Sequence, residues 1–198
     1  MKNLEKYKFQ IDQKSRNNLN KHNSFVVWFT GLSASGKSTI SNNLEILLNK
    51  NNVNTFILDG DSVRNGLNKD LSFSDEDRSE NIRRVAEVSK ILMNAGNVVL
   101  TSFITPFQQD RDLAKEIVGE NNYIEVFVNT SLKTCIERDP KGLYQKSKSG
   151  LIKSMTGIDS NYEIPKSFDI EISESNTLEE SVEILYGLIK DKLAIANE

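Results

Sequence analysis

Residues 31–38, GLSASGKS, match the pattern G-x-x-x-x-G-K-[S/T] at every fixed position. Glycines let the backbone curl so that successive N–H groups face an anion. Lys37 would contact the β- and γ-phosphates of a nucleotide, and the Ser38 hydroxyl would hold Mg²⁺. A short apolar run precedes the motif and a helical pattern follows it, as a phosphate-binding loop requires. The chain is therefore predicted to bind a nucleoside triphosphate rather than to carry a chance glycine-rich turn.

Binding a triphosphate does not identify the reaction. A switch GTPase would need a guanine-reading N-K-x-D after a later strand, and the nearest string, Asn68-Lys69-Asp70, lacks the spacer. The chain is small, its phosphate-binding loop lies near the N-terminus, and a loop with several basic residues comes late. This organisation favours a small-molecule kinase with a closing lid.

Two carboxylates, Asp59 and Asp61, end the second predicted strand. Carboxylates at the carboxyl ends of parallel strands face the ligand crevice of an open α/β sheet. One would help order the water shell of Mg²⁺, and the other would orient or deprotonate an acceptor hydroxyl, but the sequence does not say which. The alternative is that Asp61 only caps a helix starting at Ser62. We favour the functional interpretation, because capping does not require two acids beside a phosphate-binding loop.

Four arginines follow within a short stretch: Arg64, Arg78, Arg83 and Arg84. Helical arginines most often form a solvated face with neighbouring acids, so periodicity alone selects no ligand-binding arginine. Phe73 lies among polar residues of a loop, where an aromatic side chain is either a packing anchor or a stacking platform for a base. The residues alone leave both interpretations of Phe73 open.

The elements that must position these residues alternate between strands and helices along the chain. Strands are predicted at residues 25–29, 55–58, 98–104, 123–128 and 168–172. Helices are predicted after the phosphate-binding loop and at residues 75–95, 106–118 and 132–138, with a last helix opened by a Thr177–Glu180 capping box. This alternation predicts an α/β fold with a mostly parallel central sheet flanked by helices.

Length and composition restrict the classes of function. The chain has 198 residues, which suits one domain, predicted at 25–198 behind an N-terminal extension at 1–24. Its 25 basic and 28 acidic residues give a net charge of −3, which disfavours a nucleic-acid partner. No segment approaches the roughly 20 apolar residues that span a bilayer, and no secretory signal is visible. We expect a soluble cytoplasmic protein without a membrane association.

Three single residues have ordinary structural interpretations. Cys135 is the only cysteine, so an internal disulfide and a multi-cysteine zinc site are excluded, and its thiol is expected to pack within a helix. Trp28 is expected to pack in the sheet. His22 is expected at the surface, since the sequence offers no partners for a metal site.

Five strings in this order and spacing resemble adenylyl-sulfate kinases: GLSASGKSTI, LDGDSVRNGLNKDLSFSDEDRSENIRRVAEVSKI, TSFITPF, RDPKGLYQK and TGIDSNYEIP. The likeness covers about residues 25–165, and its second string is far more specific than the phosphate-binding loop. Members of this family move the γ-phosphate of ATP to the 3′-hydroxyl of adenosine 5′-phosphosulfate (APS), giving PAPS and ADP in sulfate assimilation. The resemblance implies a three-layer P-loop NTPase fold with a mobile lid at about residues 139–165. It also implies ATP as co-substrate, Mg²⁺, a homodimer and a functional association with an ATP sulfurylase.

The resemblance also assigns roles to individual positions. ATP would be bound by Gly31, Leu32, Ser33, Ala34, Ser35, Gly36, Lys37, Ser38, Thr39 and Arg138, and Mg²⁺ by Ser38 and Asp59, partly through water. APS would be bound by Asp61, Arg64, Phe73, Arg78, Asn81, Ile104, Lys141 and Met155. Catalysis would rest on Lys37, Asp59 and Asp61. In this scheme Phe73 stacks on the APS adenine, the arginines hold its phosphosulfate and Arg138 lies near the ATP adenine.

Two positions depart from the family's usual pattern. Thr105 replaces a serine that is sometimes assigned as a phospho-acceptor. Threonine can also accept phosphate, but direct in-line transfer is favoured, because phosphoryl transfer needs mainly positioning and charge neutralisation. Met155 replaces a phenylalanine that would cover the second face of the APS adenine, and a flexible thioether can substitute there. Two further functions stay open: a kinase for another hydroxyl acceptor, and a domain that binds ATP without turnover.

Overall fold

The computed structural model describes residue 7 and residues 9–195, so residues 1–6, 8 and 196–198 of the predicted extension and domain lie outside it. The strands are β1 Val26–Thr30, β2 Thr55–Asp59, β3 Val98–Ser102, β4 Tyr123–Asn129 and β5 Ile170–Ser173. The helices are α1 Gln13–Asn20, α2 Lys37–Lys50, α3 Gly60–Asn65, α4 Asp75–Asn94, α5 Gln108–Val118, α6 Leu132–Arg138, α7 Leu143–Lys148 and α8 Leu178–Leu193. A 3₁₀ turn, Glu120–Asn122, precedes β4.

The five strands form one sheet in the order β2-β3-β1-β4-β5, and every neighbouring pair is parallel. The chain leaves β1 toward β2 on one side of the sheet, and it later crosses β1 to form β4 on the other. This change of direction opens a crevice beyond the carboxyl end of β1, where ligands bind in such folds. The phosphate-binding loop begins at that point.

The core consists of two apolar layers separated by the sheet. Along β1, Val27 and Phe29 pack with α2 and α8, whereas Val26 and Trp28 pack with α4 and α5. Every residue of β1 and β3 is buried, because helices cover both faces of the sheet. The three-layer α/β prediction is confirmed.

The predicted elements are mostly correct, but their ends shift. The third strand ends at Ser102 rather than residue 104, and the next helix begins at Gln108 rather than at Pro106. The cause is Thr105, whose φ of +45° lies in the left-handed region and interrupts the extended chain. Residues 139–165, whose sequence shows no clear hydrophobic periodicity, contain the short helix α7.

The capping box on α8 is confirmed: the Thr177 side chain accepts from the Glu180 N–H, and the Glu180 side chain accepts from the Thr177 N–H. Cys135 and Trp28 are buried as expected. The prediction for His22 is wrong. Its ring is buried, with Nε2 accepting from the Asn54 N–H at 3.0 Å, a partner 32 residues away that no local pattern reveals.

None of the helices in the described part of the chain combines the length and apolarity that a bilayer span demands.

Candidate active site

The phosphate-binding loop joins β1 to α2 and has a backbone that suits glycine. Gly31 has a φ of +150°, and a Cβ there would lie 2.6 Å from the Val128 carbonyl oxygen. Gly36 has a φ of +113° immediately before α2. The loop can therefore curl tightly over the end of β4, with its amides at the positive N-terminus of a 14-residue helix.

Lys37 lies buried against its own loop. Its Nζ donates to the carbonyl oxygens of Gly31 at 2.9 Å and Leu32 at 2.6 Å. Burial lowers the pKa of this ammonium group to about 8, and the nearby charge of Lys141 acts in the same direction. A bound phosphate group would favour the charged form of Lys37.

Asp59 ends β2 and is held by three donors. Its Oδ1 accepts from the Ser38 hydroxyl at 3.3 Å, and its Oδ2 accepts from the N–H groups of Asp61 and Ser62. The helix cap that we considered for Asp61 is thus made by Asp59, on α3. A hydroxyl beside a carboxylate is the hard oxygen donor set that Mg²⁺ accepts, with waters and substrate phosphates completing its shell.

Asp61 lies two residues further on and keeps its carboxylate exposed. Its side-chain partner is Lys141, whose ammonium group contacts Oδ2 in an ion pair. Lys141 comes from the segment that follows α6, so this pair joins the predicted lid to the carboxylate at the mouth of the crevice. Asp61 is the more exposed of the two acids, whereas Asp59 caps α3 and accepts from Ser38.

Arg64 and Phe73 form one wall of the same crevice. The Arg64 guanidinium lies 4.4 Å from the Phe73 ring centroid and donates to the Ser72 carbonyl oxygen at 2.9 Å. The Phe73 ring is 60% exposed, which rules out the packing-anchor interpretation. An exposed, oriented aromatic ring beside a guanidinium is suited to stacking on a base.

Arg78 and Asn81 face inward from α4. The Arg78 guanidinium donates to the Phe73 and Ser154 carbonyl oxygens and to the Thr156 hydroxyl. Asn81 is buried and accepts from Asn68 Nδ2 at 2.9 Å.

Arg83 and Arg84, by contrast, belong to the solvated face of α4. Both pair with Glu80, and Arg84 also pairs with Asp70. The structure thus separates one cavity-lining arginine of α4 from two that form surface ion pairs.

Thr105 is almost fully buried. Its Oγ1 accepts from the Trp28 Nε1–H at 3.0 Å, and its carbonyl oxygen accepts from Arg111 at 2.7 Å. A hydroxyl enclosed in this way is poorly placed to receive a phosphoryl group. Direct transfer remains the simpler interpretation.

A single cavity of about 1180 Å³ collects the predicted site. It is lined by Ser33, Ala34, Ser35, Gly36, Lys37, Ser38, Thr39, Asp59, Asp61, Arg64, Phe73, Arg78, Asn81, Ile104, Thr105, Arg138, Lys141 and Met155. Its size exceeds that of an ordinary single-ligand pocket, which suits two nucleotides. Of the predicted residues, Gly31 is not among those that line this cavity, and Leu32 lines a second cavity of about 530 Å³.

Arg138 and Met155, both predicted to contact a nucleotide, also contact other parts of the protein. The Arg138 Nη1 donates to the Ser35 carbonyl oxygen at 3.2 Å, which fixes its guanidinium against the phosphate-binding loop. Met155 lines the cavity but packs mainly with Cys135 and Tyr144. Both side chains are therefore close enough to touch a nucleotide.

Sequence reasoning missed other residues of the cavity. Glu174 and Asn176 follow β5 and line the cavity, and Thr156, which also lines it, accepts from Arg78. The rule that ligands gather at the carboxyl ends of strands would have found Glu174 had it been applied to the last strand. No local signal points to Thr156, since its partner lies 78 residues earlier.

Comparisons with known proteins point to one family. A family model described as adenylylsulphate kinase matches residues 23–173. The adenylyl-sulfate kinase of Buchnera aphidicola is 48% identical over 98% of this chain and 92% of its own, and that of Oceanobacillus iheyensis is 50% identical over 93% and 94%. The APS kinase CysC of Mycobacterium tuberculosis, solved with AMPPNP and APS, superposes with a TM-score of 0.83 at 40% identity, over 85% of this chain and 98% of that one.

Proposed function

The chain belongs to the adenylylsulphate kinase family, and from this premise we propose how its own residues perform the reaction. The enzyme transfers the γ-phosphate of ATP to the 3′-hydroxyl of APS and releases PAPS and ADP. The observation that carries the assignment of residues is the shared cavity. The phosphate-binding loop, Asp61 and the group Arg64, Phe73 and Arg78 all line it.

We assign Asp61 to the acceptor hydroxyl. The two acids differ in their hydrogen bonds and exposure. The Asp59 carboxylate accepts from three donors, whereas the Asp61 carboxylate is exposed. When APS enters, Lys141 would move from Asp61 to the anionic phosphosulfate. Asp61 would then accept the hydrogen bond of the 3′-hydroxyl and align its oxygen for attack.

Ser38 and Asp59 would hold Mg²⁺, partly through water, and the ion would neutralise charge on the β- and γ-phosphates. Lys37 would leave the Gly31 and Leu32 carbonyl oxygens and donate to the transferred phosphoryl group. The amides of the loop would bind the remaining phosphate oxygens at the N-terminus of α2. Catalysis then rests on positioning and on charge stabilisation rather than on a covalent intermediate at Thr105.

We propose that APS lies against α3 and α4. Phe73 would stack on the adenine through the ring face that Arg64 leaves free. Arg64, Arg78 and Asn81 would donate to the phosphosulfate and ribose oxygens. The Ile104 backbone and Met155 would complete the pocket.

Residues 139–165 are proposed to be the lid of a kinase domain that spans residues 25–198 behind the extension at 1–24. The lid brings Lys141, Met155 and Thr156 to the cavity, and its closure would exclude water that competes with the 3′-hydroxyl. A homodimer, a functional association with an ATP sulfurylase and a cytoplasmic location are further proposals, supported by the family resemblance alone.

The direct test is an assay of the purified full chain with ATP, Mg²⁺ and APS, in which PAPS and ADP are quantified by anion-exchange chromatography. We expect equimolar PAPS and ADP with APS, and only background ADP when a nucleoside or a sugar acid replaces it. ADP formation that does not respond to APS would contradict the assignment, and a single-turnover experiment would distinguish that result from slow product release.

A further inference from the structure

A fully buried arginine outside the assigned site touches both the acceptor pocket and the lid. Arg111 on α5 donates through Nη1 to the Thr105 carbonyl oxygen at 2.7 Å and through Nη2 to the Glu163 carbonyl oxygen at 2.8 Å. Nη2 also donates to Gln108 Oε1 at 3.0 Å. One guanidinium fork therefore joins a turn of the APS pocket to the end of the proposed lid.

The turn that Arg111 holds is strained. Thr105 is β-branched, yet its φ is +45°, a conformation that costs on the order of 1–3 kcal/mol and persists only where surrounding contacts impose it. Trp28 holds the Thr105 hydroxyl and Arg111 holds the carbonyl oxygen. The strained residue lies between Ile104 and Pro106, and all three line the cavity.

The end of the proposed lid also makes its own hydrogen bonds to the pocket turn and to the start of α5. The Glu163 N–H donates to the Pro106 carbonyl oxygen at 2.9 Å, and Glu163 Oε2 accepts from the Gln108 N–H at 2.7 Å. These bonds set the last residues of the lid against the pocket turn, with the Arg111 fork between them. Movement of either part would break bonds to the other.

The charge of Arg111 is balanced by Glu125 on β4, with Nε lying 3.5 Å from Oε1. Neither atom makes a hydrogen bond with another described residue. A buried ion pair of this kind adds little net stability, but removal of one partner leaves an uncompensated charge. The ion pair alone therefore does not explain why an arginine occupies this position.

We propose that Arg111 is a positioning residue for the acceptor substrate, an inference that rests on the proposed function. It keeps the turn at residues 104–106 and the end of the lid in the one arrangement that accepts APS. Without the fork, Thr105 would relax from its strained φ, and APS would bind only the fraction of molecules with an ordered turn. The ATP side would change less, because the described contacts of Arg111 are with Thr105, Gln108, Glu163 and Glu125, which lie outside the phosphate-binding loop.

Arg111→Lys is the first test, because it retains a charge opposite Glu125 but cannot hold two carbonyl oxygens in the same fork. The double variant Arg111→Met/Glu125→Gln removes both charges and avoids an unpaired buried ion. Arg83→Lys, on the exposed face of α4, is the matched control. Each purified full chain is assayed for the KM values of APS and ATP and for kcat.

Trp28 supplies a second readout, since it is the only tryptophan and its indole N–H bonds to Thr105. Its single indole signal in a ¹H–¹⁵N spectrum reports the turn directly. We expect both Arg111 variants to shift this signal and to raise the KM for APS roughly tenfold, the scale of one charge-assisted hydrogen bond, with the KM for ATP nearly unchanged.

Three results would overturn the proposal. The first is a folded variant with an unchanged indole signal and an unchanged KM for APS. The second is an equal rise in the KM values for APS and ATP, and the third is a decrease in kcat with both KM values unchanged. Should Arg111→Lys fail to fold, the double variant decides by the same criteria, and failure of both to fold would make Arg111 a structural residue. Failure of the proposed function itself looks different, because the unsubstituted enzyme would then form no PAPS.

Discussion

At the scale of single residues, the division of labour between Asp59 and Asp61 rests on their hydrogen bonds. Asp59 caps α3 and accepts from Ser38, whereas the Asp61 carboxylate forms an ion pair with Lys141. Two acids separated by one residue thus have different tasks. Their local sequence, DGD, is nearly symmetrical and could not have told them apart.

We expect Asp61→Asn to lower kcat about 100-fold or more, because the amide cannot accept the proton of the 3′-hydroxyl. The KM for ATP and the Mg²⁺ concentration for half-maximal rate should stay close to those of the unsubstituted enzyme. Asp59→Asn should instead raise the Mg²⁺ requirement. If Asp59→Asn lowered kcat and Asp61→Asn raised the Mg²⁺ requirement, Asp59 rather than Asp61 would act on the acceptor hydroxyl.

Arg64→Ala should raise the KM for APS about tenfold or more, since a guanidinium beside Phe73 and the phosphosulfate is lost. Binding of ATP, measured by calorimetry, should change little, because Arg64 does not touch the phosphate-binding loop. Arg83→Ala is the control, with its charge loss confined to the surface pair with Glu80. Equal weakening of both nucleotides would show that the site is not divided as we describe.

At the scale of elements, the ends of the first three strands place several of the functional residues. The phosphate-binding loop follows β1, the paired acids follow β2, and the Ile104–Pro106 turn follows β3. Parallel strands bring these ends to one edge of the sheet. The alternation of apolar strands with helices is therefore what places distant motifs in a single cavity.

The capping box on α8 gives a prediction at this scale. Thr177→Ala should reduce the free energy of unfolding by about 1 kcal/mol, because one N-terminal N–H loses its acceptor. Thr177→Ser should retain most of that stability, and neither change should alter the KM for APS. Urea unfolding monitored by circular dichroism measures the difference, and equal stability of the Ala and Ser variants would contradict the role of the cap.

Much of this organisation was predictable from sequence because its signals are local. The apolar run of β1, the glycines of the loop and the Thr177–Glu180 pair each lie within a few residues. The contacts of His22 with Asn54 and of Arg78 with Thr156 were not predictable, since they join positions 32 and 78 residues apart. The left-handed Thr105 was missed for a related reason: its conformation is imposed by Trp28 and Arg111, not by its neighbours in the chain.

At the scale of the whole molecule, the buried charge of Glu125 makes stability depend on pH. Burial raises the pKa of this carboxyl group to about 7, with Asp169 and Asp112 acting in the same direction and Arg111 and Lys115 opposing the rise. A folded-state pKa above the unfolded value favours the folded state at low pH. The contribution of Glu125 to the free energy of unfolding is therefore fully present below about pH 4.5 and is lost as the pH rises to about 7.

Glu125→Gln should flatten the pH dependence of unfolding between pH 4.5 and 7. The slope should not vanish, because burial also raises the pKa of Asp110. Urea denaturation at a series of pH values measures how the free energy of unfolding changes with pH in the variant and in the unsubstituted protein. The matched control is Glu120→Gln, an exposed acid that pairs with Lys115. Parallel profiles for Glu125→Gln and the unsubstituted protein would contradict the effect.

The central claim is that one cavity presents the ribose of APS to the terminal phosphate of ATP. A crystal structure of this chain with a non-hydrolysable ATP analogue, Mg²⁺ and APS tests it most directly. The account predicts the APS 3′-oxygen in line with the γ-phosphorus and hydrogen-bonded to Asp61, with the adenine against Phe73. An APS molecule remote from the γ-phosphate, or one whose 3′-oxygen faces away from Asp61, would contradict it.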